Sequence, residues 1–100
     1  MQSLSKRLKN LGFVADLPET VKGKKHYYYQ AYIKDLSNNT SLIIEGYRKK
    51  GYPTYRFTFY KRTYFKGGGK VSEKIYLNNA SPIKMMQKVT SFINYLERSK

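Results

Sequence analysis

The sequence predicts an α+β domain, a four-stranded antiparallel sheet flanked by a short N-terminal helix and a longer C-terminal amphipathic helix. Three observations lead there. Runs of β-branched, aromatic and basic residues alternate between residues 24 and 77, and both ends of the chain carry apolar residues at helical spacing. Reversals rich in Asn and Gly separate the runs. A chain of 100 residues makes one domain, and the elements fall at 1–12, 24–77 and 81–98.

In chain order, Leu4, Leu8 and Leu11 recur at helical spacing behind a capping Ser3, and Gly12 follows as a stop. Phe13-Val14-Ala15 reads as a brief extended piece, and Asp16 to Gly23 as a loop. Lys24 to Lys34 is the first long strand, its odd row (Tyr27, Tyr29, Ala31, Ile33) reading as core and its even row as surface. After the Asp35–Thr40 turn, Ser41 to Lys50 returns with Leu42, Ile44 and Gly46 inward and Ile43, Glu45, Tyr47 and Lys49 outward. Gly46 marks a candidate bulge. Thr54 to Phe65 is the strand around which the rest is organised: Tyr55, Phe57, Phe59 and Phe65 form a core row, and Arg56, Thr58, Tyr60, Arg62 and Tyr64 an outer one. Gly67-Gly68-Gly69 reads as a flexible hairpin tip between Lys66 and Lys70. Val71 to Leu77 follows, with Val71, Ile75 and Leu77 inward, Glu73 awkwardly among them, and Ser72, Lys74 and Tyr76 outward. Ser81-Pro82 opens the last helix, whose apolar stripe is Met85, Met86, Val89, Phe92, Ile93 and Leu96.

Composition narrows the function. Twenty basic residues against 6 acidic ones leave a formal charge of +14, which attracts polyanions and makes the protein repel its own copies. Cysteine is absent, so disulfides and thiolate metal sites are excluded. No apolar run reaches the roughly 20 residues of a membrane span, and the N-terminus lacks a signal-peptide core. The expectation is a soluble, cytoplasmic protein with no membrane, small molecule or cofactor among its partners. The acids show no paired spacing for acid–base or two-metal chemistry, and His26 is a single histidine beside lysines. The chain reads as a binding protein rather than an enzyme.

The candidate interface is the outer face of the sheet: Lys24, Tyr28, Tyr32, Lys34, Tyr47, Lys49, Arg56, Tyr60, Arg62, Tyr64, Lys66, Lys70, Lys74 and Tyr76. Exposed rings stack on unpaired bases while Lys and Arg take the phosphates, so this mixture fits single-stranded DNA or RNA, DNA preferred. The plainer reading is that Tyr is a good strand former whose cross-strand pairs with Lys solubilise a half-exposed sheet. Met85, Met86, Val89, Phe92 and Ile93 read as core or, where the sheet leaves part of the stripe over, as the interface to a second copy or to a larger replication enzyme.

Four antiparallel strands, with Ile75-Tyr76-Leu77-Asn78 leading into a Ser81-Pro82 capped helix, resemble the transcriptional coactivator (positive cofactor four) and Whirly family over Lys24 to Arg98. That resemblance implies a curved basic-aromatic sheet, a dimerising C-terminal helix and single-stranded DNA binding. It points to an accessory factor in DNA replication or recombination. An adaptor docking onto a polymerase, primase or helicase is the alternative. Leu4 to Phe13 followed by Gly23-Lys24-Lys25-His26-Tyr27 also looks like the HicA-type mRNA-cleaving toxins, which implies a ribonuclease using His26; the glycine-serine-histidine context of that family is missing.

Overall fold

A computed structural model describes residues 3–15, 27–66, 69 and 71–98. Helix α1 (Leu4–Asn10) leads into β1 (Val14–Ala15), then β2 (Tyr27–Ser37), β3 (Thr40–Lys49), β4 (Arg56–Tyr64), β5 (Val71–Ala80) and α2 (Pro82–Arg98). The strands form one antiparallel meander in the order β1-β2-β3-β4-β5. The α+β class is as the sequence predicts. The sheet has five strands rather than four because the extended piece at Val14–Ala15 pairs with Ile33 and Tyr32.

Helix α1 is short and therefore depends on its ends. The Ser3 hydroxyl accepts from the Lys6 amide at 3.2 Å. At the other end the Gly12 amide donates to the Lys9 carbonyl at 2.9 Å and the Phe13 amide to that of Leu8 at 3.0 Å. With Gly12 at a φ of 98° this is a Schellman closure, and its apolar partners, Leu8 and Phe13, are both buried. The Lys34 ammonium lies against Gly12, next to the carbonyl end of the helix, where a cation is favoured.

Both helices contribute to one core. Leu8, Phe13, Tyr32, Leu42, Ile44, Phe57, Phe59, Met85, Met86, Val89 and Ile93 form a single buried cluster on one side of the sheet. Helix α2 opens on Ser81, whose hydroxyl accepts from the Lys84 amide at 3.3 Å, and packs on β4 and β5. Phe92 stands edge-on to Phe59 at 5.6 Å and lies 4.7 Å from Tyr76. The apolar stripe of α2 is thus spent inside the chain: Met85, Met86, Val89 and Ile93 are buried and Phe92 is half-buried. Of the stripe read as core or as a partner or dimer interface, Met85, Met86, Val89 and Ile93 are core, and Phe92 is partly covered by Phe59 and Tyr76.

Two strands turn the opposite way from the sequence expectation. On β2 the core row is the even one: Tyr32 is buried against the helices, while Tyr29, Ala31 and Ile33 share the far face with Tyr47, Glu45 and Ile43. On β5, Ile75 stands opposite Tyr60, Glu73 opposite Arg62 and Val71 opposite Tyr64, all on the far face. The register shifts by one residue at Tyr76 and again at Asn78–Asn79, and the first shift returns Tyr76 and Leu77 to the helix side. Strands β3 and β4 have the expected sidedness, except that Phe65 is exposed beyond the end of β4. Gly46 is not a bulge: it lies in continuous register under the Phe57 ring. No described helix is long and apolar enough to cross a membrane.

Candidate nucleic-acid interface

The strand registers scatter the expected interface over four places. Tyr32 and Tyr76 are on the helix side, Tyr32 in the core and Tyr76 packed against it. Lys34 and Lys74 share that side, Lys34 at the end of α1 and Lys74 opposite Lys61. These four, and with them Tyr28, which stands opposite Arg48 on the helix-side row of β2, are corrections to a single basic-aromatic face, and their cause is the inverted sidedness of β2 and β5. Lys24, His26 and Lys70 lie outside the described residues. Tyr64 and Lys66 sit at the β4–β5 turn, both exposed.

Tyr60 and Arg62 do occupy the far face, but in a closed polar network at its centre. The Arg62 guanidinium is 2.7 Å from the Glu73 carboxylate and donates to the Tyr60 hydroxyl at 3.2 Å. Tyr29 donates to Glu45 at 2.8 Å. Burial first, and then the Glu45 carboxylate, push the Tyr29 and Tyr60 hydroxyls well above the usual phenol range. The same two causes raise Tyr47. Burial by itself would lower Arg62, yet its bonds to Tyr64 and Glu73 outweigh burial and raise it. Tyr60 is only 6% exposed. A ring so covered offers no stacking surface, and a guanidinium already bound to a carboxylate attracts little phosphate.

The coincidence of rings and cations survives at one end of the sheet, where β2 begins, β3 ends and the β3–β4 connection crosses. Here the Arg48 guanidinium lies 4.4 Å from the centre of the Tyr28 ring and 5.6 Å from that of Tyr55. The Lys49 ammonium is 5.7 Å from the Tyr52 ring centre. Tyr47 meets Tyr29 at 4.9 Å on the far face, beside Arg56. The connection itself is stitched: Arg48 donates to the Tyr52 carbonyl at 2.8 Å and the Tyr52 amide to that of Lys49 at 3.0 Å. Arg56 is fixed by Asn79, bonding its side-chain oxygen at 3.1 Å and also its backbone carbonyl.

Exposure and charge set this end apart. Tyr28 is 46% and Tyr52 57% exposed, so each ring keeps free surface beside its cation. No acid occurs in 27–34 or in 46–56, whereas Arg48, Lys49, Lys50 and Arg56 do. Arg48 and Tyr52 were not among the expected site residues. Arg48 falls on the helix-side row of β3, but beyond the helices' reach; Tyr52 is in a turn, and only its place after Lys49-Lys50 signalled it. Among the described residues no cluster of His, Cys, Asp or Glu is arranged to hold a metal.

Comparison with known proteins places the chain without assigning it an activity. It is 37% identical over 100 residues to the uncharacterized protein YddA of Bacillus subtilis (strain 168), a match that covers 100% of this chain and 88% of that protein. The chain belongs to the YddA family. No family model matches it, and no solved structure does. Membership leaves the chemistry to be argued from the surface.

Proposed function

We propose that the protein binds single-stranded nucleic acid, DNA ahead of RNA, at the tyrosine–cation end of the sheet, acting in the cytoplasm as an accessory factor in DNA replication or recombination. The observation that supports it is the set Tyr28, Arg48, Lys49 and Tyr52: half-exposed rings, each beside a cation, with no acid in the sequence from 46 to 56. An unpaired base stacks on such a ring, and its phosphates are neutralised by the adjoining Arg and Lys. A duplex hides its base faces and gains only the charge.

The test is an anisotropy titration of labelled single-stranded DNA, single-stranded RNA and duplex of equal length, over a range of salt. Engagement of Arg48, Lys49, Lys50 and Arg56 predicts a slope of log affinity against log salt of about −3 for a single strand. Tighter binding of single strands than of duplex supports the proposal. Duplex binding as tight or tighter, with the same slope, reduces the surface to a non-specific polyanion site and overturns it.

A further inference from the structure

At the opposite end of the strands from the tyrosine–cation cluster, an open cavity of about 530 Å³ lies beside the β2–β3 turn, in the size range of small-molecule sites. Ile33, Leu36 and the Tyr64 ring supply its apolar walls, and Asp35, Asn38 and Ser41 its polar ones. The strand register makes room for it. Leu36 is an extra residue in β2, placed where the register shifts between Asp35 and Ser37, so the strand bends as it enters the turn. The Tyr64 amide donates to the Asn39 carbonyl at 2.7 Å, which ties the end of β4 to that turn.

The charge here runs against the rest of the surface. Asp35 is a carboxylate on a chain of +14, yet it is in no ion pair among the described residues. Arg62, which stands opposite Ser41, is taken by Glu73 at 2.7 Å. Ser41, only 5% exposed, donates to Asp35 Oδ1 at 2.6 Å and so fixes the carboxylate, while Oδ2 receives no hydrogen bond from a described side chain. Tyr64 is 41% exposed and keeps part of its ring free. A carboxylate without a cation repels phosphate and accepts from donors, and a half-exposed ring beside it takes a flat π-system. A flat ligand with two adjacent donors on one edge satisfies both. Among the nucleobases guanine presents that edge, its N1–H and exocyclic N2 amine side by side; adenine and cytosine set one amine beside an acceptor, and thymine sets one N–H between two acceptors. We propose that this cavity takes an unpaired guanine base, its ring on Tyr64, its N1–H and N2 amine donating to Asp35, and Asn38 donating to its O6. That the flat ligand is a base rests on the proposed binding of single strands. The cavity adds a base preference at a second position, about seven residues, or roughly 23 Å, along β3 from Arg48.

The experiment is an NMR titration of the isotope-labelled full chain with guanosine, inosine and adenosine, uncharged nucleosides that the basic surface does not attract. Guanosine is expected to shift the amides of Asp35, Asn38 and Tyr64. It should bind about tenfold or more tightly than inosine, which lacks the N2 amine and with it one bond to a charged acceptor. Asp35→Asn brings guanosine down to the affinity of inosine, and Tyr64→Ala weakens both by about fivefold or more. Both residues are exposed, so the variants keep the wild-type spectrum away from the cavity, and the guanosine–inosine comparison needs no variant at all. Equal binding of guanosine and inosine, or no shifts at the cavity, overturns the proposal. Tighter binding of free arginine than of guanosine also overturns it, by making the cavity a cation site. Tyr28→Ala leaves guanosine binding unchanged although it weakens oligonucleotide binding, so this proposal and the proposed function fail separately.

Discussion

Gly46→Ala is expected to destabilise the protein although it replaces a glycine in the middle of a strand. By propensity alone the change should help by about 0.5–1 kcal/mol, since glycine loses more freedom on folding than alanine. The Phe57 ring decides otherwise. A methyl group on Gly46 would stand 2.8 Å from Phe57 Cδ1 and 3.1 Å from Cζ, and closer still to Cε1. Those are rigid ring atoms, and Phe57 is 1% exposed within the core cluster, so the ring has nowhere to go. Overpacking of this kind costs about 1–3 kcal/mol, which after the propensity gain leaves a net loss of at most about 2.5 kcal/mol and about 1 kcal/mol at the middle of both ranges. For a domain of this size the middle value lowers the melting temperature by about 5–10 °C. Thermal unfolding followed by circular dichroism reads it. Gly46→Ala combined with Phe57→Leu should cost less than the sum of the two single changes, because the shorter side chain vacates the contact. A Gly46→Ala protein as stable as the wild type, or strict additivity in the double variant, would show that close approach of the ring is not why glycine stands there.

Other outcomes follow from the core and from the polar network on the far face. Phe59, fully buried between Tyr76 and Phe92, should lose about 3–5 kcal/mol on change to Ala, a large share of the stability of a domain this small, read by denaturant unfolding. Arg62→Ala removes an ion pair that is partly exposed, so it should cost no more than about 1 kcal/mol and leave the affinity for single strands within about twofold. Tyr29 and Tyr60 hold their protons above the ordinary value of 10.0, so their contribution is whole below about pH 10. It declines as pH climbs from there toward their folded values, because the unfolded chain releases those protons first. Ultraviolet titration should therefore show ordinary tyrosines ionising near pH 10 and a later step that coincides with loss of circular dichroism. A single step near pH 10 with the fold intact would contradict the burial of these hydroxyls.

The fold was largely legible in the sequence and the surface only in part, for physical reasons visible in single strands. Strand β4 declares its sides because Phe57 and Phe59 alternate with Arg56, Thr58 and Arg62, and burying the wrong row would desolvate two guanidinium groups. Strand β2 does not. Its rows, Tyr29-Ala31-Ile33 and Tyr28-Gln30-Tyr32-Lys34, are nearly equal in apolar character, and the choice falls to neighbours distant in sequence: Tyr32 joins Phe13 and Leu8 in the core, and Lys34 closes on the end of α1. Strand β5 is decided by an extra residue at Tyr76, which pattern alone does not reveal. The awkward inward position that strict alternation gives Glu73 was the sign; placed outward, it pairs with Arg62. The aromatic-basic character of the candidate site was legible in composition, but its concentration at one end of the sheet depends on these two reversals. Arg48 and Tyr52 become visible only when β2, β3 and the connection after β3 are assembled.

The central claim, that the tyrosine–cation end of the sheet binds unpaired bases, is met most directly by one comparison of variants. Tyr28→Ala and Tyr52→Ala are titrated with a single-stranded oligonucleotide at fixed salt, beside Tyr60→Phe, which keeps the ring of a buried tyrosine. Each of the first two should weaken binding by about 5- to 150-fold, the worth of roughly 1–3 kcal/mol per stacked base, with the salt slope unchanged, while Tyr60→Phe binds as the wild type does. Unaltered affinity in Tyr28→Ala and Tyr52→Ala, with both proteins folded, would contradict it.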